Sequence, residues 1–368
     1  MVEAVVFESH QIKRKEASVS AGWAWLPSEL LELILDKLVL ICDYIQFGAV
    51  CKHWQSAAKQ HKQQWMKFCH KQLPMLMQIT RNRNKSNAAF FSISQGGMLR
   101  QLSYVPHYNK KGVELYSSHG WLAYNDKLVL TFLNPFTGDT ISLPPIIEPT
   151  DAVQDILDSP STRIYQVALS ADPCLNPNVY EVLVQYWLYP QTLLAHFNSA
   201  DATWTQIGDT SLALNVLDAL YYKGQFVALT VFNEEFPSIY VSGITTTYQQ
   251  SALGTARKYI VESSAGDLLL VRIKGFESDE KSIQVYKLLR AARGRPKWVE
   301  IESIGTDVLF LGGGEPICVS ALEFPECHPN SIYFTDGVFY LENRRMERHN
   351  CVNKHKERTL LWILPTIV

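Results

Sequence analysis

The stretch Trp25–Ala58, WLPSELLELILDKLVLICDYIQFGAVCKHWQSAA, carries no catalytic chemistry, and its spacing shows what it is built for. Pro27 suits the first position of a helix, where its missing N–H costs nothing. Glu29 falls in the first turn, where a carboxylate meets the positive end of the helix dipole. Leu30, Leu31, Ile34, Leu35 and Leu38 follow at helical spacing and form an apolar stripe wider than one small partner helix can cover. Asp43, with Gln46 three residues later, has the pattern of a capping box that opens a second short helix. Val50, Trp54, Ala57 and Ala58 supply a third helical face. Three helices in about 40 residues bury too little surface to be self-sufficient, so the surplus apolar area must meet something else.

These features, in this order, resemble an F-box. Leu26-Pro27, the hydrophobic helix Leu30 to Leu38, the acidic turn at Asp43 and Val50-Cys51-Lys52-His53-Trp54 follow that family's pattern. A leucine stripe alone more often faces its own core; the Leu-Pro and Val-Cys-x-x-Trp elements shift the balance. The resemblance implies docking onto the Skp adaptor of a cullin-based ubiquitin ligase. Carried over position by position, it assigns adaptor contacts to Leu26, Pro27, Leu30, Leu31, Ile34, Leu35, Val50, Cys51 and Trp54.

A chain of 368 residues suggests two domains, or a small module and one large domain. The formal net charge of −2 gives no global drive toward nucleic acid or an anionic membrane. Seven scattered cysteines with no Cys-x-x-Cys suit a reducing compartment, so nucleus, cytoplasm or both are expected. The first residues have an acidic residue at position three and no long apolar run, unlike a secretory signal. No stretch approaches the ~18 continuous apolar residues of a membrane span. Lys13-Arg14-Lys15 is too short to stand as a nuclear signal and reads as part of a solvated arm.

The expected organisation is a flexible lead over 1–22, an F-box over 23–65, a helical or irregular connector over 66–115 and a β domain over 116–368. Within the connector Pro74 is a stop, and Arg81 to Asn87 (RNRNKSN) reads as a loop. From about Gly120 short runs rich in Val, Leu, Ile, Tyr and Phe alternate with turn formers such as Asn125-Asp126, Lys223-Gly224 and Ala265-Gly266. A Trp-x-x-Ile core recurs at Trp204 and Trp298, roughly 90 residues apart, close to two propeller blades of ~40–50 residues. A sandwich shares this texture; the period favours a propeller. The expected fold class is therefore α+β multidomain, a three-helix F-box followed by a large all-β domain, a β-propeller, to which the resemblance given next adds a kelch-like character.

The second half also resembles the C-terminal domain of a large plant F-box group, a domain once catalogued as of unknown function, with kelch-like propeller character. The matching residues are Gly120-Trp121-Leu122, Leu133 to Gly138 (LNPFTG), Leu143-Pro144-Pro145, Phe310-Leu311-Gly312, Glu323-Phe324-Pro325 and Asn330 to Asp336, then Trp362 and Pro365. The basic segment Arg344 to Arg358 departs from the group's pattern, which has a shorter, more acidic turn before the final strand.

Candidate chemistry is sparse. Asn134 to Gly138 has the composition of a turn between strands. Gly312-Gly313-Gly314 lacks the Lys-Ser/Thr of a phosphate loop, and Glu315-Pro316 would oppose an anion, so a turn or inter-blade loop is expected. His349, Cys351 and His355 fall short of zinc's four ligands, and no metal or other cofactor is expected. No Gly-x-Ser-x-Gly marks a nucleophile, and Asp279-Glu280 sits in a charged turn. The expected protein is a non-catalytic receptor. Its F-box binds the Skp adaptor and through it a cullin, while its β domain captures an unidentified protein substrate. Trp187, Tyr189, Tyr221, Tyr222 and Phe236 are aromatic candidates for that capture. Two alternatives stay open, a scaffold that holds the adaptor without a cullin and, with less support, a propeller enzyme.

Overall fold

The computed structural model describes residues 22–38, 40–68, 72–82, 85–93, 97–102, 115–126, 128–148, 163–188, 191–207, 215–232, 236–241, 244–247, 256–275, 282–289, 296–348 and 358–366. They fall into two units, one ending at Gln72 and the other opening at Leu73. Asp279, Glu280, His349, Cys351, His355, Tyr189 and Lys13-Arg14-Lys15 lie outside the described residues.

The first unit contains α1 (Ser28–Leu35), α2 (Ile41–Gly48) and α3 (Lys52–Phe68). Pro27 is the N-cap of α1 rather than its first residue, and its carbonyl accepts the N–H groups of Leu30 and Leu31 at 3.0 and 3.2 Å. Leu38 lies beyond the helix. The expected capping box does not form, because α2 opens at Ile41 with Leu40 as N-cap and no side-chain cap. Ile41, Tyr44 and Phe47 are buried at helical spacing, so their burial starts the helix two residues ahead of Asp43, which acts only as a first-turn charge.

The second unit is a ring of sheets. Strands β1 (Met75–Asn82), β2 (Lys85–Ser92) and β3 (Gly97–Leu102) open the first blade. The second is β4 (Tyr116–Ser118), β5 (Trp121–Asp126), β6 (Val129–Leu133) and β7 (Thr140–Ser142), and the third β8 (Arg163–Leu169), β9 (Glu181–Leu188), β10 (Gln191–Asn198) and β11 (Thr203–Ile207). The fourth is β12 (Asn215–Tyr222), β13 (Gln225–Phe232), β14 (Phe236–Val241) and β15 (Ile244–Thr247), and the fifth β16 (Arg257–Glu262), β17 (Leu268–Lys274), β18 (Ser282–Leu289) and β19 (Lys297–Ile301). The sixth is β20 (Asp307–Leu311), β21 (Ile317–Ser320), β22 (Ser331–Phe334), β23 (Gly337–Tyr340) and β24 (Arg345–Arg348). Last comes β25 (Arg358–Ile363), which returns to the first blade and pairs with β1 in register Met77↔Leu361. Among the described residues there are thus six sheets, and the ring is a β-propeller closed by strands from both ends of the unit.

Residues 75–102 correct the expected connector, because they are three paired strands. The polar run Arg81 to Asn87 lies mostly in the β1–β2 ladder, with Thr80↔Asn87, Arg81↔Ser86 and Asn82↔Lys85 in register. Ladder hydrogen bonds extended this hairpin past its apolar core, a tertiary effect that composition does not report.

Burial follows position in the blade. The strands β5, β9 and β17, flanked by neighbours on both sides, are almost continuously buried. The outer strands β11 and β19 are mainly exposed. Trp204 and Trp298 occupy these two outermost strands, two blades apart, as their spacing requires. The β12–β13 turn has Lys223 at φ 50° and Gly224 at φ 84°, the paired positive angles that match the twist of a two-residue hairpin. At Asn125-Asp126 the turn falls slightly later than expected. Both residues end β5, and Asn125 Oδ1 accepts the Leu128 N–H at 2.8 Å.

In the sixth blade β20 pairs in parallel with β22, while β21 folds back onto the inner edge of β20. The β20–β21 connection is Gly312-Gly313-Gly314, and it is packed against its neighbours. Gly313 bridges to Leu361 of β25, and a Cβ on Gly314 would lie 2.0 Å from Ser117 Oγ of β4. Backbone must pass this close for the sixth, first and second blades to meet, and Gly314 does so at φ 96°.

Candidate functional site

The helical unit sorts the nine expected adaptor residues by which way they face. Around α1 the apolar stripe is split lengthwise. Leu31 and Leu35 are completely buried, with Ile41, Tyr44, Phe47, Ala57, Ala58 and Trp65. Leu30 and Leu33 stand on the outer edge, 45% and 60% exposed, and Ile34 lies between. Leu31 and Leu35 are therefore core residues of this unit, a correction to their assignment as adaptor contacts. Pro27 and Val50 are exposed, while Leu26, Cys51 and Trp54 are half-buried.

Ring nitrogens of α3 hold the chain on either side of α1. His53 Nε2 donates to the Leu26 carbonyl at 2.9 Å, Trp54 Nε1 to that of Trp23 at 3.1 Å and Trp65 Nε1 to that of Leu38 at 2.6 Å. Trp54 also stacks on Phe47 with ring centroids 4.5 Å apart. Its position in the Val-Cys-x-x-Trp pattern thus has an internal purpose, which is to fix the segment before α1. The surface so presented is apolar, with Trp23, Trp25, Leu30, Leu33 and Val50 all exposed. His53 and Trp65 were not singled out by sequence, since a polar ring on a helix face gives no periodic signal.

In the propeller, the innermost strands β4, β8, β12, β16, β21 and β25 follow one another around the axis. Polar side chains stitch the seams between blades. Ser118 Oγ accepts the Leu169 N–H at 3.0 Å, and Gln166 Nε2 donates to Asp218 Oδ1 at 3.0 Å. Asp218 Oδ2 accepts the Ile260 N–H at 2.9 Å, and Asp307 accepts from Ser264 through both carboxylate oxygens. Ser117 Oγ donates to the Trp362 carbonyl at 2.9 Å. Burial drives the Asp218 carboxyl up to about 8, against the pull of its N–H donors from Ile260, Ala219 and Gln166.

The Asn134 to Gly138 turn is structural, as its composition suggests. Asn134 is fully buried, its Oδ1 accepts the Phe136 and Thr137 N–H groups, and its Nδ2 donates to the Thr366 carbonyl at 3.2 Å. Phe136 packs on Phe90 of β2, with centroids 5.0 Å apart.

Two cavities of about 230 Å³ each lie on the axis and share Ser117 and Glu315 as walls. Glu315 accepts the His119 N–H at 2.9 Å and faces its Nδ1 at 3.6 Å. Burial works against charge on both groups, but the mutual attraction prevails. His119 is held above the usual imidazole range and Glu315 below the usual carboxylate range. Cys318, on the same wall, is pushed up to about 12 by burial and stays a thiol. Of the aromatic candidates, Tyr222 is buried and donates to the Gly266 carbonyl at 2.9 Å, so it is a seam residue and not a capture residue. Tyr221 and Trp187 are half-buried, and Tyr221 lines the cavity beside His119. Nothing of the Phe236 side chain is described.

Comparison with known proteins fits both units. An F-box-like family model matches residues 23–71, and the model described as the KIB1-4 beta-propeller matches residues 90–355. In Arabidopsis thaliana, the chain At4g22660, whose name carries the F-box, is 26% identical, with 88% of this chain and 91% of that one covered. F-box protein SKIP23 from the same plant is 24% identical, covering 86% and 84%, and F-box protein At2g17036 is 24% identical, covering 93% of each. Among solved structures, TolB from Acinetobacter baumannii covers 84% of this chain and 72% of its own, at 9% identity and a TM-score of 0.42. With the propeller model spanning most of the chain behind an N-terminal F-box-like domain, the chain belongs to the KIB1-4 beta-propeller family of F-box proteins.

Proposed function

We propose that this protein is the substrate-recognition subunit of an SCF-type ubiquitin ligase, working in the nucleus or cytoplasm. The observation that carries this reading is the uncovered apolar surface of the helical unit, formed by Trp23, Trp25, Leu30, Leu33 and Val50 around a core that is already satisfied. Five exposed large apolar residues on so small a unit point to an interaction site. The Skp adaptor is the partner that an F-box-like domain implies, and a cullin follows through it. The propeller then captures a protein substrate. The receptor supplies no chemistry of its own. It raises the effective concentration of a substrate lysine beside the charged conjugating enzyme.

The test is reconstitution. Purified full-length protein is mixed with the Skp adaptor and run on a sizing column, with Leu30→Asp/Val50→Asp as the comparison. Co-elution of the wild type and separation of the variant supports the reading. Separation of both removes its basis.

A further inference from the structure

The Gly312 to Glu315 segment borders one of the two cavities on the propeller axis, and Glu315 borders both. One recess opens at the end of the ring where β4, β12 and β16 finish, and there Ser118, His119, Tyr221, Glu262 and Glu315 converge. Its remaining walls combine Ser117 with apolar residues that include Ile317 and Leu364. The charges do not balance. His119 is committed to Glu315, which takes both its backbone N–H and its ring nitrogen. Glu262 is exposed at the mouth and has no ion pair among the described residues. Lys223, on the β12–β13 turn, turns its ammonium to the Tyr222 ring, 4.9 Å from the centroid, and does not line the recess. The recess therefore has mixed polar and apolar walls and one surplus negative charge, Glu262, at its entrance, Glu315 being matched by His119. That combination fits a side chain with a long aliphatic stem and a cationic head. At the same end of the ring, the β8–β9 connection leaves Leu175 and Val179 exposed, 54% and 78%, as apolar surface beside which the flanking residues of a peptide can lie.

We infer that this recess takes a lysine or arginine side chain presented by a partner protein segment, its stem against the half-buried Ile317 and Leu364 and its cation beside Glu262. The inference rests on the substrate-receptor reading and gives it a substrate class, a segment with an accessible basic residue.

Saturation-transfer NMR on the full-length protein tests it. The probes are four capped peptides, identical except for a central lysine, arginine, norleucine or glutamate. Saturation is expected to reach the lysine and arginine side chains, with only background for norleucine, which keeps the stem without the charge, and for glutamate. In Glu262→Gln, an exposed position whose change leaves the melting temperature unaltered, the lysine and arginine signals should fall by about fivefold, the loss of one partly exposed charge contact. Equal signals for norleucine and lysine, an undiminished signal in Glu262→Gln, or no transfer to either basic peptide would overturn the inference. The same preparations are mixed with the Skp adaptor. Adaptor binding without basic-peptide binding sinks the recess inference alone, and basic-peptide binding without adaptor binding sinks the receptor reading alone.

Discussion

Ile260 donates its backbone N–H to the Asp218 carboxylate at 2.9 Å, across the seam between the fourth and fifth blades. A hydrogen bond in this position does two things. It satisfies a backbone group that no strand of its own blade reaches, and it places a carboxyl where water cannot solvate its charge.

The second consequence makes stability depend on pH. The Asp218 carboxyl stands at about 8 in the folded chain against its ordinary 3.8. Between those values the folded state holds a proton that the unfolded state has released. Stability from this group is therefore greatest below about pH 4 and falls as pH rises toward 8, with a limiting slope of about 1.4 kcal/mol per pH unit. Urea unfolding of the full chain at pH 5, 6, 7 and 8 should show this decline. Asp218→Asn should lower stability at pH 5, because the amide nitrogen cannot accept an N–H, yet flatten the slope. Parallel slopes for the two proteins would show that Asp218 is ionised in the folded state.

Two glycines at similar positive φ should respond differently to alanine. Gly224, at 84°, has open space where a Cβ would go, so Gly224→Ala carries only the backbone cost of about 1–2 kcal/mol. At Gly314 the new Cβ would sit 2.0 Å from Ser117 Oγ, in the hydroxyl that donates to Trp362. Gly314→Ala should cost about 2 kcal/mol more, as overpacking is added to the strain. Thermal melts of the two variants check the order, and equal losses would mean that the glycine tract is loosely held.

Asn134→Ala removes the acceptor for two backbone N–H groups and the donor to the Thr366 carbonyl, in a turn where Asn134 and Phe136 are buried and Thr137 is exposed. A loss of about 2–4 kcal/mol is expected, since each stranded buried group costs ~1–3 kcal/mol. Calorimetry of wild type and variant measures it. A loss below ~1 kcal/mol would assign the turn's order to Phe136 on Phe90 instead.

The sequence made some parts of this molecule legible and hid others, for physical reasons. The stripe Leu30, Leu31, Ile34, Leu35 and Leu38 announced a helix with more apolar surface than its partner covers, and Leu30 is left outside, as is Leu33, which was not part of the stripe. Which half of the stripe faces in was not legible, because Leu31 and Leu30 are the same residue type and only the placement of α3 tells them apart. Trp204 and Trp298 carried the blade period, since each outer-strand ring lies against the preceding blade, Trp204 donating to the Pro144 carbonyl at 2.9 Å and Trp298 packing with Leu220 and Leu229. The first blade stayed hidden, because its strands come from opposite ends of the unit and its hairpin is polar at the tip. The axial recess was hidden for the same reason. Ser118, Tyr221, Glu262 and Glu315 come from four different blades and share no local pattern. Only the closure of the ring brings them together.

The outer face of α1 is the most exposed claim. Full-length tagged protein is pulled down from its native cells under a proteasome block, and its partners are read by mass spectrometry. Leu30→Asp/Val50→Asp and Leu31→Ala are run beside the wild type. The account predicts that the Skp adaptor and a cullin accompany the wild type and are lost from Leu30→Asp/Val50→Asp, whose melting temperature is unchanged. Leu31→Ala should instead destabilise the helical unit by about 2–5 kcal/mol. A wild type that brings down neither protein, or a double variant that still brings down both, would contradict it.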